Sequence, residues 1–264
     1  MVSGIHLSSM LDKFEPSTEE EIRSIVTKHG INCSPEDPIP VSLLKNNVDN
    51  FIPIWLEIVN LSLSQGSMDC LKNAILCPLI KELDELIDTD VLKNYRPVSN
   101  LAFVSKLIER VVAIRLETHM SKHGLHSTKQ YGYKNNFSTE MLLMKIVNDL
   151  LVACDQKKPT IVLFLDLSAA FDTVDQSKLL DILHKEIGIC GVALDWFKSF
   201  LCGRTQKVKV GESYSAVDPL NYGVPRGSVL GPRLFNVYTR SFPNKVRSVG
   251  FDAEGFADDH QLRL

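Results

Sequence analysis

Apolar positions recur every three or four residues through the first half of the chain, then shift to continuous and alternating runs. In "EPSTEEEIRSIVTKHG", Ile22, Ile25 and Val26 form a stripe behind a cap at Ser17, with Glu20 three residues on and Gly30 closing it, which predicts a helix. "VSLLKNNV" and "FIPIWLEIVNLSLSQG" predict two more, the second ended by Gly66. "NAILCPLI" has the length of a strand, and "KELDELIDTDVLKNYRP" reads as an acidic, polar loop leading to Pro97. "VSKLIERVVAIRLETHMSKHG" and "STEMLLMKIVNDLLVACDQ" predict long helices, the latter capped by Ser138 or Thr139.

Beyond them "TIVLFLDL" is an unbroken β-branched and aliphatic run, the pattern of a buried strand. "DQSKLLDILHKEIG" and "GVALDWFKSFLCG" are helices, each followed by glycine, and "TQKVKVGESYSAV" alternates around Gly211 as a hairpin does. "GVPRGSVLGPRLFNVYTRSF" starts as a Gly/Pro turn and continues as a helix through Leu234, Phe235, Val237 and Tyr238. "HQLRL" alternates again, a strand leaving a turn at Asp258-Asp259. Helices first, then mixed elements, predict an α+β layered domain.

Composition changes this picture little. The 264 residues suffice for one large domain or two small ones, and no apolar run approaches the ~18 residues of a membrane helix. The first residues lack the basic and apolar regions of a secretory signal, and six scattered cysteines without a Cys-x-x-Cys pair favour reduced thiols. Charge is more informative. Residues 1–93 hold 7 Lys/Arg against 15 Asp/Glu, whereas residues 176–247 hold 11 against 5. A nucleic-acid surface would draw on the middle and later segments, residues 94–247; a solvated basic face explains the same numbers.

Two stretches carry chemistry. Asp166 ends the apolar run in "FLDLSAAFD", where a carboxylate is costly to bury unless paired or metal-bound. Asp258 and Asp259 sit side by side in "FADDHQL", where a cation would remove their repulsion. Singly, the first also reads as a cap and the second as a solvated turn. If the two strands are neighbours, all three carboxylates meet at one end of a sheet. Oxygen-only ligands select Mg²⁺, and such a cluster with two ions suits in-line nucleotidyl transfer.

"FLDLSAAFDTVD", "GVPRGSVLGPRLFNVY" and "FADDHQL", in this order, resemble the polymerase motifs of non-LTR (LINE-type, jockey-like) retrotransposon reverse transcriptases. "IVNLSLSQG…LKNAILCPLIKE", "NYRPVSNLAFVSKLIERVVAIRL" and "QYGYKNNFSTEMLL" resemble the preceding blocks, so the likeness spans residues 14–264. It implies a right-hand polymerase fold, with an N-terminal extension and fingers over 1–150 and the palm over 151–264. It also implies RNA-directed DNA synthesis from an RNA template, a DNA primer and deoxynucleoside triphosphates, with two Mg²⁺ ions. Carried over, Asp166, Asp258 and Asp259 look like the catalytic carboxylates. Asp166, Asp258 and the backbone carbonyl of Leu167 look like the metal ligands. Phe171 looks like the aromatic gate against a ribose 2′-hydroxyl, and Lys81 and Arg96 like the cations that hold the triphosphate. Arg226 falls beside the nucleotide where the family usually has Gln, and Phe256 where it usually has Tyr. The resemblance also implies that the chain stops just after Ala-Asp-Asp, with no thumb and no upstream endonuclease. The alternative function is therefore an inactive remnant with a fingers–palm fold and weak nucleic-acid binding. By family habit the location is nucleus and cytoplasm.

His119, His123 and His126 have a spacing that can bind zinc, but no fourth ligand is apparent, and solvated helix-end histidines are the preferred reading. Trp55 and Trp196 lie in apolar stripes and are expected in the core. Tyr131 and Tyr133 suit either base stacking or packing.

Overall fold

The computed structural model describes residues 10–28, 34–35, 37–80, 88, 90–134, 136–167 and 169–264. The predicted amphipathic helices form. These are α1 (Glu19–Lys28), α2 (Val41–Asn46), α3 (Val48–Gln65), α4 (Phe103–Lys122) and α5 (Thr139–Asp155). Gly66 caps α3 in the left-handed conformation, and the Ser138 hydroxyl accepts from the Met141 amide at the start of α5. Later come α6 (Gln176–Ile182), α7 (Gly191–Leu201), α8 (Gly231–Thr239) and α9 (Phe242–Arg247). One apolar cluster unites most of them. Val59 and Leu63 of α3, Leu107 and Val111 of α4, Trp196 and Phe200 of α7, and Leu234 of α8 all lie in it. Trp55 and Trp196 are buried there, as their stripes predict.

Two sheets flank this core. The first holds β1 (Asn73–Ile80), β2 (Tyr95–Asn100), β4 (Arg204–Val210), β5 (Ser213–Tyr214) and β6 (Asp218–Leu220), with β1 antiparallel to β2 and parallel to β4. The β4–β5 hairpin turns at Gly211 as its alternation predicts; β2, β6 and α9 had no such pattern. The second sheet is antiparallel, in the order β3 (Val162–Asp166), β8 (Asp259–Arg263), β7 (Asp252–Phe256).

The burial expected of "TIVLFLDL" is not found. β3 is a strand, but Phe164 is 72% exposed and Leu163 and Leu165 are exposed as well. An apolar run is buried only if a layer covers each face. Here α5 and α9 pack against β7, while β3 lies at the other edge with neither face covered among the described residues. The turn before β8 is also one residue earlier than expected, at Ala257–Asp258, so Asp259 is the first residue of the strand.

One buried carboxylate ties the helical core together. Glu109, between the apolar pairs Leu107–Ile108 and Val111–Val112 of α4, is fully buried. It accepts from the amides of Val229 (2.7 Å) and Leu230 (3.2 Å) at the N-terminus of α8, and from the Ser105 hydroxyl. Buried Arg204 attracts it electrostatically. Burial dominates and raises its pKa, with Arg204 and the amides acting against the rise. A raised folded pKa means that the folded state holds its proton longer than the unfolded chain does. Glu109 therefore favours folding most at acid pH, and loses stability as pH rises through 4.5 and above. Glu109→Gln keeps an oxygen acceptor without the charge. In urea unfolding at a series of pH values, the stability of Glu109→Gln relative to wild type should improve from pH 4 to pH 7. A pH-independent difference would show that Glu109 has no raised pKa.

Candidate active site

The three carboxylates singled out in the sequence come together at one end of the β3–β8–β7 sheet. Asp166 is the last residue of β3 and stands opposite Asp259 in the antiparallel ladder. Asp258 occupies the tip of the β7–β8 turn next to it. Directly opposed residues in such a ladder lie about 4.5–5.5 Å apart, so the register alone sets two like charges against each other. None of the three side chains makes a hydrogen bond or ion pair with the described residues, and Asp166 and Asp259 are exposed.

The other carboxylates of the sheet are arranged differently. Glu254, fully buried on β7, meets Lys129 (3.2 Å), Lys145 (3.5 Å) and Arg263 (2.6 Å). Asp252 meets Lys129 at 2.9 Å and Arg247 at 3.1 Å. The sheet thus neutralises its inner acids with its own cations and leaves the acids at its turn end unpaired. A hard cation would relieve their repulsion, and the donors are all oxygens, so the set fits Mg²⁺. No group of three or more His, Cys, Asp or Glu side chains among the described residues is close enough to hold a metal together.

Backbone contacts hold the acidic turn from both sides. Ala257 takes a positive φ of 58°, unfavourable for a residue with a Cβ. The Gln130 carboxamide meets both of its backbone groups, accepting from the Ala257 amide at 3.0 Å and donating to its carbonyl at 3.1 Å. On the other side the His260 Nδ1 lies 3.1 Å from the Asp258 carbonyl, which places the proton on that nitrogen. Gly132 passes so close that a Cβ there would sit 2.2 Å from the Ala257 nitrogen. The Asn236 side chain of α8 donates to the Gly132 carbonyl at 2.8 Å, and across the same junction the Tyr131 amide donates to the Gly255 carbonyl while the Gly255 amide donates to the Lys129 carbonyl.

Phe171 packs its ring on Phe235 (5.2 Å between centroids) and edge-on to Tyr133 (6.3 Å). Burial and the nearby Asp258 charge push the Tyr133 hydroxyl above the usual phenol range. Tyr133 thus lies between the candidate gate and the acidic turn, and it takes a positive φ of 56°. The Phe171 carbonyl accepts from the Val224 amide at 2.9 Å, fixing this residue to the start of "GVPRGS". In that loop Arg226 pairs bidentately with Asp172, with Nε at 2.7 Å from one carboxylate oxygen. Its charge is therefore balanced within the chain. Gly227 lies where a Cβ would meet the Ser99 carbonyl at 2.3 Å, so this loop backs directly onto β2.

A cleft of about 450 Å³ opens between the first sheet and this loop, lined by Leu76, Pro97, Ser99, Asp172 and Arg226 among others. Neither Asp166 nor Asp258 lines it. Arg96 is exposed on β2, roughly 10 Å along the strand from Ser99. Lys81 lies outside the described residues. His119 is not solvated. Its Nε2 meets the Ile187 carbonyl at 2.7 Å, and burial lowers its pKa, because α4 turns that face into the core. His126 contacts Ser121 and Glu117, and no three-ligand cluster forms with these histidines. Gln130, His260, Asn236 and Glu109 carried no singled-out role in the sequence. Glu109 left a readable signal, a lone acid inside an apolar helical stripe. The others depend on contacts across the fold.

Residues 81–262 match the family model described as "Reverse transcriptase (RNA-dependent DNA polymerase)", and the chain belongs to that family. Its relatives place it in the jockey-like, non-LTR retrotransposon branch. The "RNA-directed DNA polymerase from mobile element jockey" of Drosophila funebris is 30% identical over 258 residues, covering 93% of this chain and 27% of that protein. The "Probable RNA-directed DNA polymerase from transposon BS" of Drosophila melanogaster is 34% identical over 151 residues, covering 57% of this chain and 16% of that protein. The chain thus spans a minor part of the length of these curated relatives. Among solved structures, apo telomerase from Candida tropicalis aligns with a TM-score of 0.51 at 11% identity, over 88% of this chain and 51% of that one, which shows the shared fold.

The approach of Gly132 to the acidic turn yields a direct test. Gly132→Ala must displace backbone and should cost about 1–3 kcal/mol in urea unfolding, the range of an overpacked site. Unchanged stability would mean that the two segments are not in contact.

Proposed function

We propose that this chain is the fingers–palm segment of an RNA-directed DNA polymerase, extending a DNA primer on an RNA template with deoxynucleoside triphosphates. In this reading residues 1–150 are the N-terminal extension and fingers and residues 151–264 the palm. The observation that carries it is the register that sets Asp166 against Asp259, with Asp258 at the adjoining turn. Asp166, Asp258 and the Leu167 carbonyl would hold Mg²⁺, with Asp259 as the third carboxylate. Bound there, two ions would activate the primer hydroxyl and stabilise charge on the phosphoryl group in transfer.

The chain's own residues do the rest. Asp166 and Asp258 supply oxygens at a sheet end where no cation among the described residues pairs with them. Phe171, braced by Phe235 and by its bond to the Val224 amide, keeps a rigid ring near the turn. A ring so fixed excludes a ribose 2′-hydroxyl by volume. Arg96 and Lys81 would hold the triphosphate, Arg bidentately. Arg226, already paired with Asp172, shapes the nucleotide side of the loop without adding a free charge.

Two substitutions test this reading. Asp166→Asn should lower primer extension on an RNA template by about 100-fold or more, since even groups outside a metal's first coordination sphere are worth up to that factor. An undiminished rate would remove Asp166 from the chemistry. Phe171→Val should raise ribonucleotide incorporation relative to deoxynucleotide by about tenfold or more. If discrimination is unchanged in competition assays, Phe171 only packs.

A further inference from the structure

We propose that Gln130 is a positioning residue for the metal-binding carboxylates. Its carboxamide holds Ala257 in the left-handed conformation that sets Asp258 beside Asp166. The inference rests on the proposed metal role of those two aspartates and adds a residue to it.

Gln130 is 5% exposed, and its side chain spends its amide on the acidic turn and on the segment that braces it. Oε1 accepts from the amides of Ala257 (3.0 Å) and Gly132 (2.8 Å), and Nε2 donates to the Ala257 carbonyl (3.1 Å). One side chain thus reads both backbone groups of a single turn residue, the pattern that fixes a peptide's orientation rather than merely filling space. The turn needs such a device. Ala257 has a φ of 58°, and an alanine pays a steric penalty there that a glycine does not. Asp258, the next residue, has no side-chain partner among the described residues to set its direction. Its placement therefore follows from the peptide before it. Were Ala257 to relax to negative φ, the Asp258 carboxylate would swing away from the end of β3.

Three variants of the 264-residue chain test this. The probe is Mn²⁺, followed by electron paramagnetic resonance and independent of turnover. Gln130→Met keeps the bulk and loses every hydrogen bond. It should weaken Mn²⁺ binding about tenfold, the lower end for supporting residues at metal sites. It should also speed amide hydrogen exchange at Ala257 and Gly132 by about tenfold. Adding Ala257→Gly supplies the left-handed conformation without the clamp, and should restore Mn²⁺ binding to within about threefold of wild type. A packing role for Gln130 would not respond to that second change. The proposal is overturned if Gln130→Met binds Mn²⁺ as wild type does, if the two amides keep their protection, or if Ala257→Gly fails to rescue. Asp166→Asn separates this outcome from failure of the underlying reading. Loss of binding there with none in Gln130→Met sinks the clamp alone, whereas full binding in Asp166→Asn sinks both. Should Gln130→Met not fold, exchange in the unsubstituted chain decides. The Ala257 amide, although at a hairpin tip, should exchange as slowly as amides inside the sheet, and fast exchange overturns the clamp.

Discussion

The antiparallel pairing of β3 with β8 is the constraint on which the candidate site depends. The two strands come from widely separated parts of the sequence, and their side chains alternate faces with a period of two. A slip of one residue would turn Asp166 away from Asp259 and send Leu262, the apolar residue of β8, to the opposite face. The register is pinned at both ends. At one end Ile161 and Leu264 exchange backbone hydrogen bonds, and at the other the Ala257–Asp258 turn is gripped by Gln130 and His260. Between these anchors Leu262 enters a small apolar cluster with Val246 and Ala253, which penalises any shift.

The same sheet sorts its charges by depth. Glu254 and Asp252 face Lys129, Arg247 and Arg263, and for Asp252 burial is outweighed by Lys129 and Arg247, which lower its pKa. The acids inside the fold are thereby paired within the chain. At the turn end the acids have no such partners among the described residues, and Asp166 and Asp259 are exposed. A protein that only needed stability would gain nothing by opposing Asp166 to Asp259. That repulsion is the feature on which the proposed cation role rests. Arg226 follows the opposite logic. Its pairing with Asp172 means that a cation in place of a neutral amide leaves the local charge balanced.

Glu109 performs the corresponding task in the helical core. By capping α8 it fixes the helix whose Phe235 supports Phe171 and whose Asn236 reaches Gly132. Core packing, Phe171 and the acidic turn are thus linked through a single nine-residue helix. Apart from the Phe171–Phe235 ring contact, the links are hydrogen bonds to backbone groups, which are directional and leave little freedom for adjustment.

The helices were legible because their periodicity is local. Ile22, Ile25 and Val26 announce α1, Ser138 marks the start of α5, Gly66 ends α3, and Gly188 ends the π-helical turn Leu183–Ile187 that continues α6, both glycines in left-handed conformations. The three carboxylates were legible as residue types in strand-end settings, and the ordered motifs pointed to the reverse transcriptase family whose model matches residues 81–262. What stayed hidden depends on layers and neighbours. An apolar run cannot tell whether two faces or none will be covered, so β3 read as buried and is exposed. β2 and β6 are strands because β1 and β4 offer them partners, not because their own sequences alternate. Gln130, His260 and Asn236 are ordinary polar residues in the sequence, and only the folded chain brings their side chains to particular peptide groups. Composition and period are properties of a segment and can be read from it. Register, burial and the partner of a hydrogen bond are properties of pairs of segments, and only the tertiary structure decides them.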